Sequence, residues 1–112
     1  MQRRQTKQSP GPNSSERRFM AWIKEQTCVI CKSCPVIAHH CEGSTWAHNK
    51  IKCGHWFLLP ICQEHDDVIT LGSRRAFREQ FGAQSNLWVQ LIKQSPIQPP
   101  AEVIAAIIDW GR

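Results

Sequence analysis

No stretch of this 112-residue chain is apolar for long enough to cross a bilayer as a helix. Its opening segment, Met1–Ser9, is polar and basic rather than a hydrophobic leader. No internal repeat is present, which sets aside solenoid and propeller architectures. Acidic residues are few: nine Asp and Glu against 14 Lys and Arg leave a formal charge of +5. Apolar material is limited too, because the first 13 residues are Gln, Lys, Arg, Ser, Pro and Gly with no hydrophobic periodicity. What remains is one small domain, marginal on a hydrophobic core alone and in need of a staple.

The staple is visible in what the chain does contain. All six cysteines and all five histidines fall between Cys28 and His65. With no leader and no membrane span, the expected location is cytosolic, where thiols stay reduced and clustered Cys and His mean zinc. A disulfide framework would leave the interspersed histidines without a role.

Most of the positive charge sits at one end. Arg3, Arg4, Lys7, Arg17 and Arg18 stand against Glu16, giving +4 of the total +5. A mobile basic arm suits a polyanion, most simply a nucleic acid backbone, and serves equally as a solubilising tail. The domain boundaries read from composition are a disordered basic tail over 1–13 and a folded domain over 14–112.

Along that domain the pattern predicts an α+β, mostly helical fold. Asn13-Ser14-Ser15-Glu16 has capping-box spacing, and Phe19, Trp22 and Ile23 share one helical face, so a helix runs from here to just before Cys28. Val36–Ala38 is a short strand candidate, Glu42–Lys52 is irregular, and Trp56–Leu59 is a second strand broken by Pro60. Cys62–Ile69 has room for one or two helical turns. Ser73 caps a helix carrying Phe77 and Phe81 and stopped by Gly82. Leu87, Trp88, Leu91 and Ile92 form a second stripe ending at Pro96, and Val103, Ile104, Ile107 and Ile108 form a third after Pro99-Pro100. These stripes are core, and Trp46 and Trp56 are expected to pack rather than stack on bases.

Cys28-x2-Cys31 and Cys62-x2-His65 are two chelating pairs, each able to grip one edge of a tetrahedron. Such a soft, closed shell suits structural zinc, worth on the order of 10 kcal/mol in a small domain. Cys34 competes with Cys31 for the first pair. A second set of soft ligands, Cys41, His48, Cys53 and His55, would order the polar stretch around it by binding a second zinc. Cys34 or His39 can replace Cys53 or His55 in that set, and a buried, reduced Cys53 is the plainer alternative.

His39-His40 ends an apolar run between the two halves of the first site, and Asp66 follows His65 directly. Hydrolysis of a phosphodiester needs a base near neutral pH and a hard cation to stabilise charge on the phosphate. A cation such as Mg²⁺ keeps most of its waters and needs few protein ligands. His39, His40 and Asp66 offer those parts, with Asp67 an alternative carboxylate. Arg74, Arg75 and Arg78 either line a path for DNA or form a solvated helix face.

The order Cys-x2-Cys, Ala38-His39-His40, Leu58-Leu59-Pro60-Ile61-Cys62-Gln63-Glu64-His65-Asp66 resembles an HNH endonuclease of the zinc-bound type. Two longer stretches, 38–45 and 54–60, and the run 72–77 resemble the recombination enhancement function (Ref) nucleases of temperate phages, over roughly residues 16–94. That resemblance implies a zinc-stapled, treble-clef-like ββα-metal core with a helical C-terminal part. It implies a RecA-dependent endonuclease that cuts DNA where a RecA filament has paired a strand with its target. Mg²⁺ or Mn²⁺ is the implied catalytic cation, with one or two structural zincs, and the host cell's cytosol the implied location. His40 stands where the HNH base stands, His39 and Asp66 where the metal ligands stand, and His55 where an Asn normally braces the active-site loop. At His55 the chain departs from the pattern, so bracing and zinc binding both stay open. The expected partners are DNA and a RecA filament, with no membrane, and the chain is expected to be a monomer. A zinc-stapled DNA- or filament-binding module without chemistry is the rival reading, and a protein–protein adaptor docked through the helical third is another.

Overall fold

The computed structural model describes residues 12–112, so the expected basic tail falls almost wholly outside the described residues. Asn13 belongs to the fold instead of the tail. Its side chain accepts from the Glu16 N–H at 2.8 Å while the Glu16 carboxylate accepts from the Asn13 N–H at 2.8 Å. This reciprocal cap starts helix α1, Ser14–Lys24, and satisfies N–H groups that a helix start leaves without partners. Phe19 and Ile23 on its inner face are fully buried and Trp22 is half-buried.

Strand β1, Ile37–His40, pairs antiparallel with a later strand, and the short hairpin β2, Ala47–His48, and β3, Ile51–Lys52, lies between them. The partner strand is β4, Leu58–Ile61, in the register Ile37↔Ile61, Ala38↔Pro60, His39↔Leu59 and His40↔Leu58. Two expectations change here. Pro60 does not break the strand: it lies inside β4 and is fully buried. A two-stranded ribbon leaves one side of each strand unpaired, so a residue lacking an N–H fits there. Pro60 still uses its carbonyl, which accepts from the Val29 N–H at 3.0 Å. The 42–52 stretch is not wholly irregular either. Asn49 and Lys50 both have positive φ, 52° and 68°, the backbone of a two-residue primed turn closing β2 on β3.

Helix α2, Gln63–Asp67, follows β4 at once and runs into one π-helical turn, Val68–Gly72. Helix α3, Arg74–Phe81, begins where the Ser73 hydroxyl accepts from the Ala76 N–H and stops at Gly82, φ 98°. Helices α4, Gln84–Ile92, and α5, Ala101–Trp110, complete the chain. The described residues thus form a small α+β domain with five α-helices and short antiparallel strands. None of these helices is long and apolar enough to cross a membrane.

Strand β4 is the centre of the core, with α1 and α4 both packed against it. Trp88 is fully buried on α4 and meets Phe57 edge-on at 5.9 Å. Helix α5 covers the β2–β3 hairpin: Trp110 lies 5.1 Å from Trp46, and Asp109 Oδ2 lies 2.9 Å from His48 Nε2. The stripe on α5 is rotated slightly from expectation, with Val103, Ala106 and Ile107 buried and Ile108 at the rim. Trp46 and Trp56 pack against aromatic neighbours, Phe57 and Phe19 respectively.

Candidate functional site

The first pair of sulfur ligands sits on a tight turn. The Cys28 N–H donates to the Ser33 carbonyl at 2.9 Å, the Lys32 N–H donates to the Cys28 carbonyl at 2.9 Å, and Lys32 takes φ 65° to close it. The second pair starts helix α2, where Cys62 is the residue before the first turn and the Asp66 N–H donates to its carbonyl at 2.8 Å. The Val29–Pro60 hydrogen bond draws the turn against β4, so the two pairs converge.

Ligand atoms of Cys28, Cys31, Cys62 and His65 all lie within 4.8 Å of one another. His65 Nδ1 is 3.2 Å from Cys62 Sγ and 3.8 Å from Cys28 Sγ, and Cys31 Sγ is 3.6 Å from Cys62 Sγ. A tetrahedron with Zn–S and Zn–N bonds of ordinary length has edges of about 3.5–3.8 Å, so the four residues fit a zinc ion. The thiols are unevenly prepared for it. The Ser33 hydroxyl, 2.9 Å from its sulfur, pulls the Cys31 thiol down, and the backbone N–H of His65 pulls Cys62 down. Burial pushes Cys28 up, against backbone hydrogen bonds that favour its thiolate. Cys34, the competitor for Cys31, is exposed and outside the group.

The second expected set is not assembled. Among the described residues the only cluster with metal-ligand spacing is the one above. The primed turn carries His48 toward α5, where Asp109 holds it. Cys53 is fully buried and its thiol donates back to the Ile51 carbonyl at 3.3 Å. Cys41 is buried too, and burial raises its thiol well above the ordinary range. His55 turns to His40 instead, its Nδ1 3.4 Å from His40 Nε2 with the rings edge-to-face. Nearness along the chain did not become nearness in space, and buried reduced cysteines take the place of the expected ligands.

Successive residues of a strand project to opposite sides, and the histidine pair at the end of β1 divides accordingly. His39 reaches α2, where its Nδ1 is 3.0 Å from Asp66 Oδ1 and both side chains are largely buried. His40 reaches the loop that carries His55. Burial lowers the pKa of His39 despite the Asp66 carboxylate, and Arg74 adds to the lowering, so the neutral ring is favoured. Its Nε2 is buried without a hydrogen-bond partner, and so is Gln84 Oε1. The Gln84 amide lies close enough to His39 to favour its protonation, yet no hydrogen bond of good geometry joins them. Burial also lowers His40, with His55 and His39 contributing in that order. Asp67, the alternative carboxylate, instead accepts from the Gln63 side chain at 2.8 Å on the surface of α2.

Beside this site, Arg74 Nη1 donates to Glu42 Oε1 at 2.5 Å, and a cavity of about 390 Å³ opens between α3 and the end of α5. Gln84, Glu42 and Trp110, which line it, carried no sequence signal. Their placement depends on how α4 and α5 fold back on the strands.

Fold and site together define a small α+β domain with one Cys/His cluster able to hold a metal ion. The chain belongs to the family described as protein of unknown function (DUF968), whose family model matches residues 8–97. No curated protein and no solved structure matches it.

Proposed function

We propose that this chain is a metal-dependent DNA endonuclease of the HNH type, directed by a RecA filament in phage recombination and working as a monomer in the host cytosol. The observation that carries the reading is the contact of His39 with Asp66, one residue from His40 and one residue from the zinc ligand His65. The reading is supported by the order of strand β1, strand β4 and helix α2, which would serve as the ββα unit of such an enzyme, with the Cys28, Cys31, Cys62, His65 cluster able to hold its structural zinc. The RecA filament as partner rests on the sequence resemblance alone.

Six-coordinate Mg²⁺ has ligand edges of about 2.9 Å, so a ring nitrogen and a carboxylate oxygen 3.0 Å apart fit two neighbouring positions. His39 and Asp66 would hold such a cation, Mg²⁺ or Mn²⁺, which supplies charge stabilisation for the phosphate and the departing oxygen. The chain's own residues do the proton chemistry. With a proton on Nε2, His40 donates to His55 Nδ1, which leaves His40 Nδ1 as the acceptor for a water proton. His55 thereby fixes the tautomer of the base, the bracing role that an Asn normally has. The lowered pKa keeps His40 unprotonated at neutral pH, as a base must be.

Nicking of DNA by zinc-loaded protein tests this, with and without Mg²⁺ and with and without a RecA filament on a paired target. Cutting that needs Mg²⁺ and is lost in His40→Ala, with zinc content and melting unchanged, is the expected result. Cutting without the filament keeps the chemistry and removes the partner. Cutting by pure His40→Ala sinks the assignment of the base. No cutting at all, with DNA still bound, leaves a zinc-stapled binding module.

A further inference from the structure

The cavity between α3 and the end of α5 has no part in the proton chemistry above. Arg74, Arg75 and Arg78 of α3 line it, joined by Arg112, Trp110 and the start of α4 at Gln84. Four arginines thus line the cavity against one acidic side chain, Glu42, whose carboxylate is already bonded to Arg74. Arg75 reaches only Glu79 on its own helix, at 3.4 Å and in open solvent. Arg78 and Arg112 form no ion pair among the described residues, although Arg112 lies near enough to Asp109 to help hold its carboxyl down. Such a concentration of like charge is unfavourable until an anion enters, and guanidinium forks match phosphate oxygens.

One further feature narrows the ligand. Trp110 packs edge-on against Trp46 and Phe57 yet keeps 38% of its surface exposed. An accessible indole is a stacking platform for a base, worth about 1–3 kcal/mol per base in single-strand binding. The space, about 390 Å³, is far larger than one phosphate requires.

We infer that this cavity is a nucleotide subsite, taking one unpaired nucleotide of a DNA strand with its phosphate on Arg75, Arg78 and Arg112 and its base against Trp110. The inference rests on the reading of the chain as acting on DNA and says where the strand lies. The cavity adjoins the candidate centre through Gln84, whose amide neighbours His39, and through Arg74, whose charge His39 senses. The same chemistry would hold a free mononucleotide, and the experiment separates the two.

The test is fluorescence anisotropy with a labelled single-stranded oligothymidine, using zinc-loaded full chain in Mg²⁺-free buffer over a range of salt. Arg75→Ala with Arg78→Ala is expected to weaken binding at least tenfold. It also lowers the slope of log affinity against log salt by about 0.7, for the one single-strand phosphate the subsite holds. Lys24→Ala with Lys93→Ala, which removes equal charge elsewhere, keeps affinity within twofold. Trp110→Leu weakens oligothymidine but not inorganic phosphate, with melting curves checking that each variant folds. Equal binding by the arginine pair and the lysine pair overturns the subsite. So does thymidine 5′-monophosphate binding as tightly as the oligomer. Arginine-dependent binding without any cutting by the wild type removes the nuclease and keeps the subsite. Unchanged binding and cutting in the arginine pair does the reverse.

Discussion

The indole N–H of Trp88 donates to the backbone carbonyl of Trp56 across 2.7 Å, and both residues are buried. This bond ties helix α4 to the residue after His55, on the segment leading into β4. The loop that positions His55 against His40 is therefore bolted to the helical part of the molecule. Trp88→Phe removes one of the two hydrogen bonds to that carbonyl, which keeps the Leu58 N–H at 2.9 Å, and leaves a small void where the indole was. Together these are expected to cost about 1–3 kcal/mol. Urea unfolding measures it, and a change under 1 kcal/mol would mean that water replaces the indole.

Zinc stoichiometry separates the two ligand sets. One zinc per chain is expected, because among the described residues only Cys28, Cys31, Cys62 and His65 converge. Cys62→Ser is expected to abolish zinc binding and cooperative melting together, since about 10 kcal/mol is comparable to the whole stability of a small domain. Cys34→Ser and His48→Ala leave the zinc content at one. Elemental analysis of purified variants reads this directly, and two zincs per chain would restore the second set.

Gly54 has no room for a side chain. A Cβ placed there would lie 2.0 Å from the Ser44 carbonyl oxygen, a backbone atom that cannot swing away. This close approach folds the 42–46 segment against the one bearing His55. Gly54→Ala is expected to destabilise by about 3 kcal/mol, the upper end of overpacking costs. It should also lower cutting more than binding, because His55 shifts. A melting curve like the wild type's would contradict the packing described.

What was legible in the sequence was local. Asn13 and Glu16, Ser73, and Gly82 signal their caps within a few residues, because capping is a short-range hydrogen-bond problem. The Cys28, Cys31, Cys62, His65 set was legible because a chelating pair fixes its own geometry at two-residue spacing. The β2–β3 hairpin was hidden by strands of two residues and by Lys50 standing where a primed turn favours Gly. Pro60 misled because its tolerance depends on having no strand on one side, a fact of topology. His48 was misassigned for a similar reason: its partner, Asp109, lies near the end of the chain, on α5. Gln84 and Trp110 reach the cavity only through the packing of α4 and α5, which no short-range pattern encodes.

The lowered pKa of His40 gives a pH test in two readouts. Burial, then His55 and His39, hold the folded value below the ordinary imidazole value of 6.5. The folded state therefore prefers the neutral ring, while the unfolded chain takes up a proton as the pH falls through 6.5. Stability is accordingly lost on the acid side, starting near pH 6.5 and complete below the folded pKa. Release of a zinc held by the cluster would also weaken the fold in acid, so the comparison must be with His40→Gln, which keeps the cluster but cannot titrate. Between pH 8 and 5 the wild type is expected to lose more melting temperature than this variant. In the nuclease assay the same shift places the acid limb of the cutting rate below pH 6.5, because the base must be unprotonated. A limb at or above 6.5, with equal acid sensitivity of the two proteins, would show that His40 is neither buried as described nor the base.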